Sequence, residues 1–167
     1  MVDIHSHILP GLDDGPEDFE VSLEMLRMAR QANTTDIVAT PHASPSYRYE
    51  PKLISDLIAK LQSAVEDGIK VHRGCDFHLS PQNIQAALRD PSRFAINGLC
   101  YLLVEFPNMS IAPHMTEAMQ RLQMAGFTLI ITHPERYAWL YQKPDILSGW
   151  LRDGCLVQVT AGARATV

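Results

Sequence analysis

Close cysteine pairs are absent from the sequence, which contains only three cysteines, Cys75, Cys100 and Cys155, all far apart. Without a C-x-x-C pair, neither a zinc ribbon nor a thioredoxin-type redox site is supported. The sequence also has no apolar run long enough to span a membrane. Met1 leads directly into Val-Asp-Ile-His, so we expect no signal peptide. We therefore expect buried free thiols in a reducing cytosol.

Positive charge is scarce as well. The chain has 14 Lys and Arg against 19 Asp and Glu, and its formal net charge is -5. The basic residues form no cluster, and an acidic chain of this kind binds nucleic acid or an anionic membrane poorly. A bound metal ion can still reverse the potential inside one cleft, because such an ion is often the largest local charge. The composition thus excludes nucleic acid as an expected partner but leaves a metal site open.

Short apolar runs alternate with amphipathic segments along the 167 residues, a length that suits one domain over residues 1–167. Apolar residues at helical spacing predict helices around residues 19–29, 53–65 and 115–125. Residues 41–51 are turn-rich and polar, and they are predicted to form a loop. Alternating strands and helices predict an α/β fold with parallel strands. The apolar runs predict six strands, at residues 2–4, 36–39, 69–71, 101–104, 128–131 and 156–159.

Histidines and acids directly follow most of these apolar runs. They are His5, His7, His42, Asp76, Glu105 and His133. In a parallel α/β barrel the C-terminal ends of the strands converge on one face, where active sites are built. We therefore expect these side chains, scattered in sequence, to meet in space. Imidazole nitrogens and carboxylate oxygens are common ligands of divalent metals, so the pattern predicts a metal site.

Taken singly, several of these residues have simpler explanations. The period-two spacing of His5 and His7 puts both imidazoles on one side of a strand, but a lone His-x-His is a weak signal. His42, after Pro41, could merely cap a loop. Glu105 is the sharpest position, because an acid directly after Tyr-Leu-Leu-Val is costly to bury without a cation. That cost favours a ligand role for Glu105.

Other positions have two interpretations. Asp13 and Asp14 lie in Leu-Asp-Asp-Gly-Pro, which could be only a turn and a helix start. Arg136, in Thr-His-Pro-Glu-Arg-Tyr, could pair with Glu135 on the surface, or it could point into the cleft and grip an anion. His78 is predicted to be a solvated loop histidine.

Four segments together resemble the bacterial capsule and exopolysaccharide tyrosine phosphatases of the polymerase and histidinol phosphatase (PHP) superfamily. They are Asp-Ile-His-Ser-His-Ile-Leu-Pro-Gly-Leu-Asp-Asp-Gly-Pro, Ala-Thr-Pro-His, Leu-Val-Glu-Phe-Pro and Thr-His-Pro-Glu-Arg-Tyr. The resemblance implies a distorted TIM-like (β/α)7 barrel and hydrolysis of phosphotyrosine on a protein. It further implies that the substrate is the tail of a bacterial tyrosine kinase that controls polysaccharide export.

The resemblance also implies a centre of three divalent ions, usually manganese, with magnesium or iron as alternatives. It assigns seven ligands here: His5, His7, Asp14, His42, Asp76, Glu105 and His133. In this scheme Asp76 bridges the ion held by the first two histidines to a second ion, which Glu105 and His133 also bind. Asp14 and His42 help to hold the third ion. Arg136 matches the family's phosphate-binding arginine.

Two features depart from the family pattern. Many relatives have glutamate at the position of Asp76. The family also carries a late Asp-x-His after its last strand, and no such motif occurs up to Val167, where the tail at residues 161–167 leaves the pattern. We therefore expect a C-terminally truncated, incomplete barrel of about six strands, with the last strand and two ligands missing.

Three other functions compete with phosphotyrosine hydrolysis by metal ions. A cysteine-nucleophile phosphatase needs an arginine six residues after its cysteine, and Pro81, Phe106 and Ala161 stand there instead. That class is excluded. A small-molecule phosphatase of the same superfamily stays open, and so does an inactive domain that binds a metal or a partner. The number of bound metal ions distinguishes the inactive domain from an active enzyme, because an incomplete centre should hold fewer ions than a complete one.

Overall fold

The computed structural model describes residues 1–65, 68–107 and 113–160, without the side chains of residues 113 and 114. The tail at residues 161–167, where a departure from the family pattern is predicted, lies outside this description. All strand pairs described are parallel. The strands are β1 (Val2–Ser6), β2 (Asp36–Ala39), β3 (His42–Ala43), β4 (Lys70–Arg73), β5 (Asp76–His78), β6 (Tyr101–Glu105), β7 (Thr128–Thr132) and β8 (Leu156–Gln158).

The strands form two sheets, ordered β1-β2-β4 and β3-β5-β6-β7-β8. Thr40 and Pro41 separate β2 from β3, and Gly74 and Cys75 separate β4 from β5. The chain therefore passes through the sheets six times, and two of these passes start in one sheet and end in the other. The six predicted strands correspond to β1, β2, β4, β6, β7 and β8, with ends that differ by at most two residues. The short strands β3 and β5, which complete the second and third passes, were not predicted. The predicted α/β class and the parallel strands are confirmed.

The helices cover the connections between strands, as parallel strands require. Asp18 caps the first helix by accepting a hydrogen bond from the Val21 N–H at 2.9 Å, and Ser80 caps the third by accepting one from Asn83. Three helices were not predicted (the third, fifth and sixth), because none exceeds nine residues and so few turns give a weak helical period. The helices are α1 (Phe19–Gln31), α2 (Pro51–Ala64), α3 (Pro81–Arg89), α4 (Pro113–Met124), α5 (Ala138–Tyr141) and α6 (Pro144–Arg152).

The predicted loop over residues 41–51 was wrong at both ends. His42 and Ala43 form β3, which pairs with Asp76 and Phe77 of β5, and Pro51 already begins α2. A two-residue strand is too short to produce an alternating pattern, and it exists because β5 supplies its hydrogen-bond partners. This pairing places His42 directly beside Asp76.

One hydrophobic core fixes the sheet against its helices. Leu26 of α1, Leu61 of α2, and Leu102 and Leu129 of β6 and β7 are each 0% exposed. Burying a side chain of this size contributes about 1.5–3 kcal/mol. These contacts hold the strands in register, so that the residues that follow each strand come together at one end of the sheet.

The cysteine prediction was partly wrong. Cys75 and Cys155 are buried free thiols, but Cys100, just before β6, is exposed. Its neighbour Leu99 is exposed too, and the buried residues of β6 begin only at Leu102. Among the described residues, no helix combines the length and the hydrophobicity that crossing a bilayer requires.

Gly74 lies where the fourth and fifth strands separate, and we predict that Gly74→Ala destabilises the protein. A Cβ there would stand 2.6 Å from Val38 Cγ1 and 3.0 Å from Thr40 Cγ2. Such overpacking costs about 1–3 kcal/mol of unfolding free energy, measurable by urea denaturation. The matched control is Gly149→Ala in α6, where the nearest atom is Arg152 Nη2 at 3.9 Å. This control should be neutral or stabilising by up to about 1 kcal/mol. Equal stability of the two variants would contradict the prediction.

Candidate metal centre

All eight residues predicted to form the site line one cleft at the C-terminal ends of the strands. The cleft has a volume of about 1020 Å³. Its other lining residues include Gln158 and Thr160, from the eighth strand and the residues after it. The predicted residues in the cleft are His5, His7, Asp14, His42, Asp76, Glu105, His133 and Arg136. The convergence expected from the strand ends is therefore present.

Asp76 is at the centre of this cleft. Its side chain is 0% exposed, and neither carboxylate oxygen has a hydrogen-bond partner among the described residues. Burying an anion without hydrogen bonds is costly unless a cation compensates it. Four imidazole nitrogens surround Asp76 Oδ2: His42 Nδ1 at 3.3 Å, His5 Nε2 at 3.4 Å, His7 Nε2 at 3.9 Å and His133 Nε2 at 4.0 Å.

These separations fit ligands that share an ion better than they fit direct hydrogen bonds. Two ligand atoms that each lie about 2.1 Å from one ion stand roughly 3.0–3.5 Å apart. The Nε2 atoms of His5 and His7 are 3.3 Å apart. Three groups of side chains each bring three potential ligand atoms within 4.8 Å of one another: His5, His7 and Asp76; His7, Asp14 and His42; and His42, Asp76 and Glu105. The residues present therefore fit a divalent metal centre with up to three positions.

The Nδ1 atoms of His5 and His7, which point away from Asp76, already have hydrogen-bond partners. His5 Nδ1 lies 2.8 Å from Gln158 Oε1, and His7 Nδ1 lies 2.8 Å from Asp13 Oδ2. Only the Nε2 atoms remain to face Asp76. His7 Nδ1, which Asp13 holds, also lies 3.5 Å from Asp14 Oδ1.

The acids of the site favour bound positive charge. Burial lowers the pKa of His42, but the neighbouring carboxylates of Glu105 and Asp76 raise it more, to about 9. Burial raises the pKa of Glu105, but contact with His42 and His78 brings it well below its usual range. His5 shows the same balance, since burial lowers its pKa and Asp76 brings it above its ordinary value. The cleft therefore holds protons when it holds no metal, and metal ions compete for the same places.

His133 differs from the other histidines. Its backbone is left-handed, with φ 33° and ψ 55°, a conformation that is strained for a non-glycine residue. Its N–H donates to the Gln158 carbonyl oxygen at 2.8 Å, and its ring lies between the rings of His5 and Tyr137. Burial and the positive charge of His5 keep the pKa of His133 below its usual value although Asp76 opposes this. His133 contacts the site but belongs to none of the three ligand groups.

Arg136 follows in a short 3-10 helix, Pro134–Arg136, and its exposed side chain lines the cleft. Among the described residues its guanidinium has no ion-pair partner. Glu135, the surface alternative, instead accepts a hydrogen bond from the Thr160 N–H at 2.9 Å. The cleft-facing interpretation of Arg136 is the one that this geometry favours.

Sequence reasoning missed three residues beside the site. Asp13 and Gln158 hold the outer nitrogens of the first two histidines. His78 lies on β5 directly opposite Glu105, with its Nδ1 3.7 Å from Glu105 Oε2. The prediction that His78 lies in a loop was wrong, since it is the last residue of β5. A strand of only three residues leaves no recognisable pattern in the sequence. The spacing of Asp13 from His7 was visible in the sequence, but its contact depends on the turn between them.

Comparisons with known proteins agree with this geometry. A family model described as capsular polysaccharide synthesis, CpsB/CapC, matches residues 1–165. The chain is 34% identical to the CapC protein of Staphylococcus aureus over 167 residues, which is 98% of the chain and 65% of that protein. It is 30% identical to the tyrosine-protein phosphatase YwqE of Bacillus subtilis over 171 residues, 100% of the chain and 67% of that protein.

A solved structure is similar as well. It comes from crystal structures of YwqE from Bacillus subtilis and CpsB from Streptococcus pneumoniae, described as metal-dependent tyrosine phosphatases. The TM-score is 0.89 and the identity 29%, over 97% of this chain and 67% of that one. The chain thus spans about two thirds of the length of these relatives. Because the family model matches almost every residue, the protein belongs to the CpsB/CapC family of capsular polysaccharide synthesis.

Proposed function

We propose that this protein hydrolyses phosphotyrosine on a protein substrate, using divalent metal ions bound in the cleft. The observation that carries the proposal is the fully buried Asp76 carboxylate, which accepts no hydrogen bond from any described residue and lies within 4.0 Å of four imidazole nitrogens. The similarity of the chain to the tyrosine phosphatases YwqE and CpsB supports the same chemistry here. We propose manganese as the metal, with magnesium or iron as alternatives.

The proposed ligand roles follow the three groups of side chains. His5, His7 and Asp76 would hold one ion, and His42, Asp76 and Glu105 would hold a second. Asp14 extends the site toward solvent, since its side chain is 65% exposed. His133 completes the set of seven proposed ligands, with its Nε2 4.0 Å from Asp76 Oδ2.

Bound divalent ions would supply hydroxide at neutral pH and neutralise the phosphate oxygens. The protein's own residues orient the substrate. Arg136 offers a planar, permanently charged fork that can bind two phosphate oxygens at once. The leaving group is the tyrosine phenolate, whose conjugate acid has a pKa of about 10. It can leave without a strong general acid and then take a proton from water.

We further propose that the substrate is the phosphorylated tail of a bacterial tyrosine kinase and that the reaction takes place in the cytoplasm. The exposed guanidinium at the rim of an open cleft suits a flexible peptide carrying phosphotyrosine. The free thiols Cys75, Cys100 and Cys155 suit a reducing compartment.

The test of the proposed activity is phosphate release from a phosphotyrosine peptide with Mn²⁺, and again with EDTA. Hydrolysis that requires Mn²⁺ is the expected result. A phosphoserine peptide and histidinol phosphate serve as competing substrates. Faster hydrolysis of histidinol phosphate would favour the small-molecule alternative, and metal binding without any hydrolysis would favour an inactive binding domain.

Asp76→Asn should remove the thermal stabilisation that Mn²⁺ gives to the wild-type protein. The amide keeps the shape of Asp76 but loses the charge that two ligand groups share. A ligand at 100 times its dissociation constant stabilises a fold by about 2.7 kcal/mol, so the wild-type melting temperature should rise measurably. Asp56→Asn is the matched control, because Asp56 pairs with Lys52 on the exposed face of α2. An undiminished Mn²⁺ response in Asp76→Asn would contradict the central role of this carboxylate.

Arg136→Ala should lower the turnover of a phosphotyrosine peptide by two to three decades while metal content stays constant. Losing one charged contact to the transition state typically costs about 3–4 kcal/mol. Arg136→Lys keeps the charge but not the planar guanidinium, so its turnover should lie between those of the wild type and Arg136→Ala. Arg152→Ala, at the exposed end of α6, is the control. Unchanged turnover in Arg136→Ala would make this residue a surface arginine.

Metal affinity should increase with pH up to about 9. The pKa of His42 is raised to about 9 in the metal-free protein, so at neutral pH an ion must displace its proton. Because this pKa is raised, the proton stabilises the metal-free fold below pH 6.5, and that stabilisation is lost as pH rises to about 9. Calorimetry of Mn²⁺ binding at pH 7 in buffers of different ionisation enthalpy should detect release of about one proton or more. Binding without proton release would contradict this account.

A further inference from the structure

We infer that Asp13 is a positioning residue that holds His7 in the tautomer protonated at Nδ1 and fixes His7 against His42, and thereby sets the affinity of the cleft for divalent ions. The inference rests on the proposed metal centre. It concerns a residue that touches none of the ions and acts only through the two histidines.

The Asp13 carboxylate is fully engaged. Its side chain is 1% exposed. Oδ2 accepts hydrogen bonds from His7 Nδ1 at 2.8 Å and from the His42 backbone N–H at 2.9 Å. Oδ1 accepts one from the Gly15 N–H at 3.0 Å. Three protein donors therefore converge on one buried acid.

These donors determine the tautomer of His7. The backbone N–H groups of His42 and Gly15 can only donate, so Asp13 must accept at both oxygens. An ionised carboxylate has no proton to give, and His7 Nδ1 must therefore carry one. Its Nε2 is then left with a free lone pair. That atom lies 3.3 Å from His5 Nε2 and 3.9 Å from Asp76 Oδ2, where the first ion would bind.

Asp13 also joins the two sheets. His7 follows β1, which belongs to the first sheet, whereas His42 begins β3 in the second. The two imidazole rings lie 4.4 Å apart between centroids. No strand pair links β1 to β3. The shared carboxylate ties the His7 side chain directly to the His42 backbone, beside the hydrogen bonds that join Ser6 to Thr40.

The simpler interpretation of Asp13 as a turn residue accounts for only one of its three contacts. The hydrogen bond that the Gly15 N–H, two residues ahead, donates to Oδ1 is that of an ordinary Asx-turn. The other oxygen bonds residues 6 and 29 positions away. Gly15 further adapts the turn to this task, because a Cβ there would collide with the His7 carbonyl oxygen.

His5 provides an internal comparison. Its Nδ1 is held by the neutral amide oxygen of Gln158 at 2.8 Å, so its Nε2 faces the site in the same way. Acceptors on the outer nitrogen fix the orientation of a metal-binding histidine and raise its basicity, and losing one typically lowers metal affinity 10–100-fold. The charged acceptor at His7 should have the larger effect of the two.

The experiment measures the tautomer and the affinity separately in the full 167-residue chain. Long-range ¹H–¹⁵N correlation spectra of the metal-free protein at pH 8 report which nitrogen of His7 carries the proton. Calorimetry with Co²⁺, together with its visible absorption, reports affinity and ligand geometry. The variants are Asp13→Ala, Asp13→Asn and the control Asp18→Ala, which removes a carboxylate that only caps α1.

The wild type should show His7 protonated at Nδ1. Asp13→Ala should shift the proton toward Nε2 and weaken Co²⁺ binding about 10–100-fold. Asp13→Asn keeps an oxygen for His7 and His42, so it should retain the tautomer and lose less affinity. Asp18→Ala should change neither readout, although it lowers stability.

Two results would overturn the inference: His7 protonated at Nε2 in the wild type, or unchanged Co²⁺ affinity in both Asp13 variants. Absence of Co²⁺ binding in the wild type would instead overturn the proposed metal centre, and the tautomer spectra would still test the role of Asp13. If Asp13→Ala does not fold, the comparison of Asp13→Asn with the wild type decides between these outcomes.

Discussion

The Asp76 carboxylate lies buried at the ends of the strands, and no residue in the described part of the chain gives it a hydrogen bond. Such a group is stable only if positive charge is brought to it. Four histidines surround it, and two of them, His42 and His5, carry that charge as protons when no metal is present, because the neighbouring acids raise the pKa of each. The same four imidazoles, in their neutral form, are the histidine ligands of the proposed metal centre. The chemistry of the cleft follows from how this one charge is neutralised.

The interruptions in the sheet determine where that charge lies. Pro41 follows the second strand, and Gly74 and Cys75 follow the fourth, and after each interruption the chain pairs with a new neighbour. The register that results sets His42 beside Asp76. A continuous strand would pair these residues differently, and each shift of one residue would turn the side chains to the other face. Gly74 is required for this arrangement because the side chains of Val38 and Thr40 leave no space for a Cβ.

Much of this could be predicted from the sequence, and the parts that could not share a physical cause. The six passes and the meeting of His5, Asp76 and Glu105 follow from apolar periodicity and from the geometry of parallel strands. The sequence pointed to Glu105 as the acid that is costly to bury, whereas its side chain is 20% exposed and Asp76 is the fully buried one. Asp13 and Gln158 escaped prediction because their contacts depend on the exact course of a turn and of an edge strand. Local pattern carries no information about such distant contacts.

Gln158 connects the two ends of the described fold. Its side chain holds His5 of the first strand, and its carbonyl oxygen accepts the N–H of His133 after the seventh. Its strand, β8, is an edge of its sheet in the described part of the chain and pairs there with β7. Occupation of the cleft by ions would therefore be linked to the docking of this edge strand, since each favours the other by the same free energy. In the proposed metal centre, a shift of β8 would move the acceptor that holds His5, so metal binding would respond to what happens at this edge of the sheet.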